Sequence, residues 1–141
     1  MLGIDVTQKI SKMVKEQFGA EINFKLREMG KRRVYAYKEC AHLENQPMEI
    51  VHNGVYFGKL EGGEIRLSIE GAQLIGKKVK RNIIEIDQDK AVNWMKGEDL
   101  KVESEAQGYV ILKWKNYYLG CGKLQNGTIE NYVPKDRRIT T

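Results

Sequence analysis

Val6, Ile10, Met13, Val14 and Phe18 recur at spacings of three and four near the N-terminus. On a helix these positions share one face, so residues 6–18 are read as an amphipathic helix. Asp5 stands where an N-terminal cap is needed, with Gln8 three residues on, and Gly19 stands where the helix must stop. From Ile22 the period changes to two. Ile22, Phe24 and Leu26 alternate with Asn23, Lys25 and Arg27, and a second run over 34–37 follows Gly30-Lys31-Arg32-Arg33, which predicts a hairpin with a basic turn. Residues 39–47 show no clear period and leave room for a short helical turn. Residues 49–52 and 55–60 read as strands around Asn53-Gly54, and Gly62-Gly63 turns the chain into a strand over 64–67, giving an antiparallel meander.

Ser68 then precedes a short helical segment, residues 69–75, which it is placed to cap, with Gly76 as its stop. A strand over 82–86 leads to Asp87, the cap of a further helix that ends at Lys96 before Gly97. Ala91, Val92 and Met95 form the buried stripe of that helix, with Trp94 flanking it. Residues 98–107 are polar and acidic and read as a surface loop. Three strands follow over 109–114, 117–124 and 128–133, separated by Lys115-Asn116 and Asn126-Gly127 and ended by Pro134. The pattern predicts an α+β chain. A small N-terminal α/β unit with an antiparallel meander covers residues 1–80, and a second, β-rich unit covers 81–141.

Composition agrees with a folded chain. Of 141 residues, 41% are hydrophobic and 30% charged with both signs mixed, and two prolines leave little room for an extended linker. The formal charge of +5 favours a polyanionic partner. The basic residues gather in three islands: Lys31-Arg32-Arg33, Lys77-Lys78-Val79-Lys80-Arg81 and residues 135–138. Each island reads equally as a solvated face or a helix C-terminus favoured by the macrodipole. Cys40 and Cys121 lie far apart in runs that read as structured, so reduced thiols are expected rather than a disulfide framework. No apolar run approaches the roughly 20 residues of a membrane helix. Asp5 replaces the basic, then apolar, start of a leader. A soluble, cytoplasmic protein is the expectation.

Catalytic patterns do not emerge. His42 and His52 lack a neighbouring serine or cysteine arranged as a nucleophile, and Cys121 within Leu119-Gly120-Cys121-Gly122 reads as a small packed core residue. Cysteines and histidines scattered over several elements lack the short ligand pairs of a zinc site. Asp87 with Asp89 and Glu98 with Asp99 are explained by a helix start and a polar loop. The glycines at 62, 63, 120 and 122 lie in or between strands rather than between a strand and a helix, which leaves no phosphate-cradling loop. No metal, no cofactor and no catalytic residue is expected. What remains is basic charge beside aromatics: Tyr35, Tyr37, Tyr56, Phe57, Tyr109, Trp114, Tyr117, Tyr118 and Tyr132 all fall on predicted strands, where alternation buries some and leaves others free to stack on unpaired bases. Tyr117 and Tyr118 point to opposite faces.

The predicted helix over 87–96, Gly97-Glu98-Asp99-Leu100, Gly108-Tyr109-Val110-Ile111-Leu112 and Leu119-Gly120-Cys121-Gly122 together resemble a PUA domain, in order as well as in residues. Leu119-Gly120-Cys121-Gly122-Lys123 and Asn131-Tyr132-Val133-Pro134-Lys135-Asp136-Arg137-Arg138 are similar to the C-terminal PUA extensions of archaeal Sun-family RNA cytosine-C5 methyltransferases. Upstream, Arg33-Val34-Tyr35, Tyr56-Phe57-Gly58-Lys59-Leu60 and Ile65-Arg66-Leu67-Ser68-Ile69 look like the pre-PUA domain of Nip-type ribosome-biogenesis proteins. The resemblance implies a pre-PUA-like unit followed by a PUA-like β pseudobarrel that binds structured RNA. A compressed hairpin between Gly108 and Leu119 departs from the family pattern. Neither an S-adenosylmethionine glycine loop nor a Pro-Cys or Thr-Cys nucleophile motif is present. A non-catalytic RNA-binding module for rRNA or tRNA is therefore implied, acting in RNA modification or ribosome biogenesis, with phosphates held by Lys77, Lys78, Lys80, Arg81, Lys123, Lys135, Arg137 and Arg138. The alternative is an adaptor that docks an RNA methyltransferase or a ribosome-assembly protein.

Overall fold

The computed structural model describes residues 3–37 and 54–139. The expected strand over 49–52, the turn before Gly54, and Cys40, His42 and His52 lie outside these residues. Among the described residues the chain forms ten strands in two five-stranded sheets, with three α-helices. The α+β architecture is as the sequence implies.

The first sheet is an antiparallel meander in chain order: β1 (Ile4–Asp5), β2 (Lys25–Glu28), β3 (Arg33–Tyr37), β4 (Val55–Glu61) and β5 (Glu64–Leu67). Helix α1 (Thr7–Phe18) presents Ile10, Val14 and Phe18, all fully buried, to the inner face of this sheet, where Leu26, Val34, Phe57 and Ile65 are also fully buried. Asp5 does serve the start of α1, but from one position outside the cap. Val6 holds the N-cap position, and the Asp5 carboxylate accepts from the Thr7 N–H at 2.9 Å. Gly19 ends the helix in the left-handed conformation, with φ of 69°. The predicted strand from Ile22 begins only at Lys25, because Ile22 and Phe24 are drawn into the core as irregular backbone. The basic turn contains a short 3-10 segment, Gly30–Arg32, in which Lys31 and Arg32 both adopt a φ of 62°.

Helix α2 (Ile69–Ile75) is capped as expected, the Ser68 Oγ accepting from the Gly71 N–H at 2.9 Å. Gly76 is not a left-handed stop. It stays right-handed and continues into the 3-10 segment Gly76–Lys78, and its missing side chain makes room for the Tyr118 ring. Glycine is here for close approach rather than for backbone conformation.

The second sheet has the order β6-β8-β9-β10-β7 and curls into a half-barrel: β6 (Ile83–Glu85), β7 (Leu100–Lys101), β8 (Gly108–Trp114), β9 (Tyr117–Gln125) and β10 (Thr128–Glu130). Strand β6 runs parallel to β8, and the crossover between them contains helix α3 (Gln88–Met95), capped by the Asp87 carboxylate on the Lys90 N–H at 2.9 Å. Two expectations need correction here. Trp94 does not flank the helix stripe; it is 0% exposed at the centre of the half-barrel, while Val92 and Met95 are only half-buried. The closed curvature of the sheet brings the broad indole inside, and Gly122 leaves the space for it. The 98–107 stretch is also more than a surface loop, because Leu100 is buried and β7 pairs with β10.

The two sheets share packing. The larger core cluster joins Tyr109, Ile111 and Cys121 to the N-terminal side chains, and Ile69 of α2 belongs to the cluster around Trp94. Cys121 is a packed core residue, 3% exposed, and burial pushes its thiol up to about 12. In a Cys40→Ser variant, a disulfide-exchange reagent at pH 8 is expected to leave Cys121 unmodified until denaturant is added. Rapid labelling of the native protein would contradict that placement.

Candidate nucleic-acid interface

Where β5 and α2 meet the end of the second sheet, a cleft of about 220 Å³ opens, lined among others by Tyr56, Arg66, Glu70, Tyr132 and Arg137. Its walls are fixed by local sequence. The Gly62-Gly63 turn, with both glycines at positive φ, sets the β4–β5 register so that Lys59 faces Arg66 and Glu61 faces Glu64. Glu61 then gathers Arg66 at 3.3 Å and Lys59 at 3.8 Å, and it accepts from the Tyr109 hydroxyl at 2.9 Å. Arg66 lies over the Tyr132 ring, its guanidinium carbon 4.3 Å from the ring centre. A guanidinium stacked in this way keeps its in-plane N–H groups available to acceptors, one of them Glu61.

Tyr132 and Tyr109 are held as neutral donors. Burial, then the hydrogen bond to Glu130 at 2.7 Å, pushes the Tyr132 hydroxyl up to about 12. Burial and the bond to Glu61 raise that of Tyr109 further. Both phenols therefore keep their protons at neutral pH.

The basic end of the chain is clamped rather than loose. Asn131 is the hinge pin: its amide donates to the carbonyls of Trp94 at 2.8 Å and Glu98 at 2.9 Å, its N–H donates to Asp99, and its side-chain oxygen accepts from the Val133 N–H. After Pro134 a short 3-10 turn, Lys135–Arg137, carries the charge, and the Ile139 N–H ties its far end to the Met95 carbonyl at 2.9 Å. Within this turn Lys135 is exposed. Arg137 reaches Glu70 at 2.7 Å, both side chains remaining partly exposed. Arg138 differs: its Nε donates to the Val133 carbonyl at 3.1 Å, and its side chain lies against Gly97. Lys123 sits over the Tyr109 ring at 5.7 Å, on the strand next to this end.

The other island goes elsewhere. Arg81 donates to the carbonyls of Lys15 and Glu16, the N–H groups of Lys80 and Arg81 both donate to Phe18 O, and the Asn82 amide donates to Gln17 O. Together they satisfy the last carbonyls of α1, which an isolated helix leaves open. For Arg81 the helix-terminus reading is the one this geometry supports. Lys77, Lys78 and Lys80 are exposed, and Lys80 and Lys78 add to the pull of Lys15 in lowering the Glu21 carboxyl. Among the described residues no hydrogen bond or ion pair joins this island to residues 135–138. The two lie at opposite ends of α2, Arg137 at its first turn and Lys77 and Lys78 after its last.

Arg66 and Glu70 were not among the expected site residues. Outward alternation on β5 and the glycine turn were the available signals for Arg66; nothing local marks Glu70, whose partner lies far along the chain. Of the aromatics, Phe57 and Tyr109 are buried, Tyr117 is 60% exposed and stacks on Trp114, and Tyr118 packs over Gly76. Cations and stacked rings around an open cleft can hold phosphate oxygens and a planar base.

Comparison with known proteins fits this geometry. Residues 81–139 match the family model described as Methyltransferase RsmF PUA domain. The chain is 32% identical over 72 residues to the ribosomal RNA small subunit methyltransferase F of Aeromonas salmonicida (strain A449), a match covering 50% of this chain and 15% of that protein. It is 28% identical over 57 residues to the protein of the same name from Vibrio vulnificus (strain YJ016), covering 40% of this chain and 12% of that one. The matches thus take in only a small part of each relative's length. The C-terminal part of the chain, containing β6 to β10, is similar to an RsmF-type PUA domain.

Proposed function

We propose that this chain binds structured RNA, rRNA or tRNA, through its PUA domain, in the service of RNA modification or ribosome biogenesis, and that it does so without catalysis of its own. The observation that carries the reading is the clamped 3-10 turn of the PUA domain, which presents Lys135 and Arg137 beside the cleft walled by Arg66 and Tyr132. A cation on a rigid turn gives up little conformational entropy when it meets a phosphate. The relatives named above are rRNA methyltransferases, which favours rRNA as the ligand. Support for a non-catalytic role comes from the buried, protonated state of Cys121 and from the use of Tyr109 and Tyr132 as packed hydrogen-bond donors.

Binding to small-subunit rRNA fragments and to tRNA, measured by filter retention or anisotropy over a salt series, tests the proposal. Lys135→Glu with Arg137→Glu is expected to weaken binding at least tenfold. It should also reduce the slope of log K against log salt by roughly 1–2. Binding by the wild-type protein that is absent at low salt, or untouched by the double reversal, would overturn it.

A further inference from the structure

The inner face of the first sheet is covered by α1 and α2; on the outer face Tyr109 and Tyr132 of the second unit reach the β4–β5 end, at Glu61 and Arg66. That face is built from a row of tyrosines. Register places Tyr37 opposite Lys25 and Tyr35 opposite both Arg27 and Tyr56, so these side chains share one side of the sheet. On β4 the pairing slips: Val34 faces Gly58 while Tyr35 faces Tyr56, which leaves Phe57 as the extra residue of a bulge. The bulge sends Phe57 fully into the core and leaves both Tyr56 and Lys59 facing outward. Tyr35 and Tyr56 pack at 5.4 Å between ring centres, and the Arg27 Nε donates to the Tyr37 hydroxyl at 3.1 Å with its guanidinium over the same ring.

The charge on this face is mostly positive. Lys25, Arg27, Arg33, Lys59 and Arg66 lie on it, against the carboxylates of Asp5, Glu61 and Glu64. Asp5 already accepts from Thr7, and Glu61 is held at the far end by Arg66, Lys59 and Tyr109. Around the tyrosines this leaves Lys25 and Arg33 facing solvent. Half-buried rings flanked by solvent-facing cations match the chemistry of unpaired nucleotides: π-faces for the bases, cations for the phosphates between them. Tyr56 also lines the cleft beside Arg66 and Arg137, so the row of rings continues into the surface assigned to the PUA domain.

We propose that the outer face of the first sheet is a stacking platform for single-stranded RNA, with Tyr35, Tyr37 and Tyr56 receiving bases and Lys25 and Arg33 receiving phosphates. This rests on the reading of the chain as an RNA-binding protein and assigns the N-terminal half its own part in that binding. A single strand leaving a structured element gripped at the PUA turn would cross Tyr56 on its way to Tyr35.

The test uses the full chain and a short single-stranded RNA carrying 2-aminopurine, whose fluorescence falls when it stacks. Wild-type protein is expected to quench it. Tyr35→Leu with Tyr56→Leu keeps apolar packing on the sheet and is expected to abolish the quench and weaken binding of the single strand about tenfold, with little change in salt slope. Lys135→Glu with Arg137→Glu should instead weaken the structured RNA and lower the salt slope while the quench persists, so failure of the platform and failure of the PUA assignment give different patterns. Photocrosslinking of the wild-type protein to 4-thiouridine RNA provides a second readout that needs no variant, with adducts expected at Tyr35, Tyr37 or Tyr56. An unchanged quench in the leucine variant, or crosslinks confined to the PUA domain, would overturn the proposal.

Discussion

Trp94→Ala is expected to destabilise the protein by roughly 3–5 kcal/mol. The indole is the largest fully buried side chain and stands at the centre of the half-barrel, packed with Leu112, Leu124 and Ile129. Truncation removes its burial and leaves a cavity that the curled sheet is poorly able to collapse, since its order is fixed by hydrogen bonds on both sides of β8, β9 and β10. It also removes the hydrogen bond from the indole N–H to the Leu119 carbonyl at 2.9 Å, and the part-buried acceptor left without it adds about 1 kcal/mol. Denaturant unfolding followed by circular dichroism checks this, and Trp94→Phe separates the two contributions. Phenylalanine keeps most of the apolar contact and loses the donor, so a loss of about 1–2 kcal/mol is expected for it. A midpoint unchanged by Trp94→Ala would contradict the central placement of the ring.

Gly71→Ala should also destabilise, by roughly 2–3 kcal/mol, although propensity alone argues the opposite sign. Within a helix, alanine is favoured over glycine by about 1 kcal/mol. Gly71, however, sits where α2 crosses β4 so closely that an added Cβ meets the carbonyl oxygen of Phe57, and backbone is the least yielding neighbour. The helix would have to lift from the sheet, disturbing the Ser68 cap, whose hydroxyl is held by the carbonyls of Tyr56 and Phe57. Gly30→Ala serves as the control. Open space surrounds that position, its φ is not positive, and its effect should stay within about 0.5 kcal/mol.

These two residues also mark where the sequence could be read and where it could not. Helix α1, the hairpin turns and the caps at Ser68 and Asp87 were legible because each depends on residues a few positions apart: a three-to-four period, a glycine pair, an oxygen before a run. Trp94 was misplaced because a stripe on one helix does not reveal how far the opposing sheet curls around it. Gly76 and Gly71 carry no local signature of their purpose, since each answers to a distant group, Tyr118 in one case and Phe57 in the other. The candidate site was divided in the same way. The charge of residues 135–138 was visible, but the partners that sort it were not: Glu70 for Arg137, Val133 and Gly97 for Arg138, and the end of α1 for Arg81. Ion pairs across long loops leave no pattern in a single sequence.

The pairing of the strands also sets an order in time. Each strand of the first sheet finds its partner in the strand just before or after it, so that sheet is able to assemble as the chain leaves the ribosome. The second sheet cannot do this. β6 must wait for β8, and β7 for β10, both made later in the chain. Until then the inner surface of the first sheet lacks Tyr109, Ile111 and Cys121, which complete its core. The nascent first sheet thus exposes apolar surface until β8 and β9 arrive to close it.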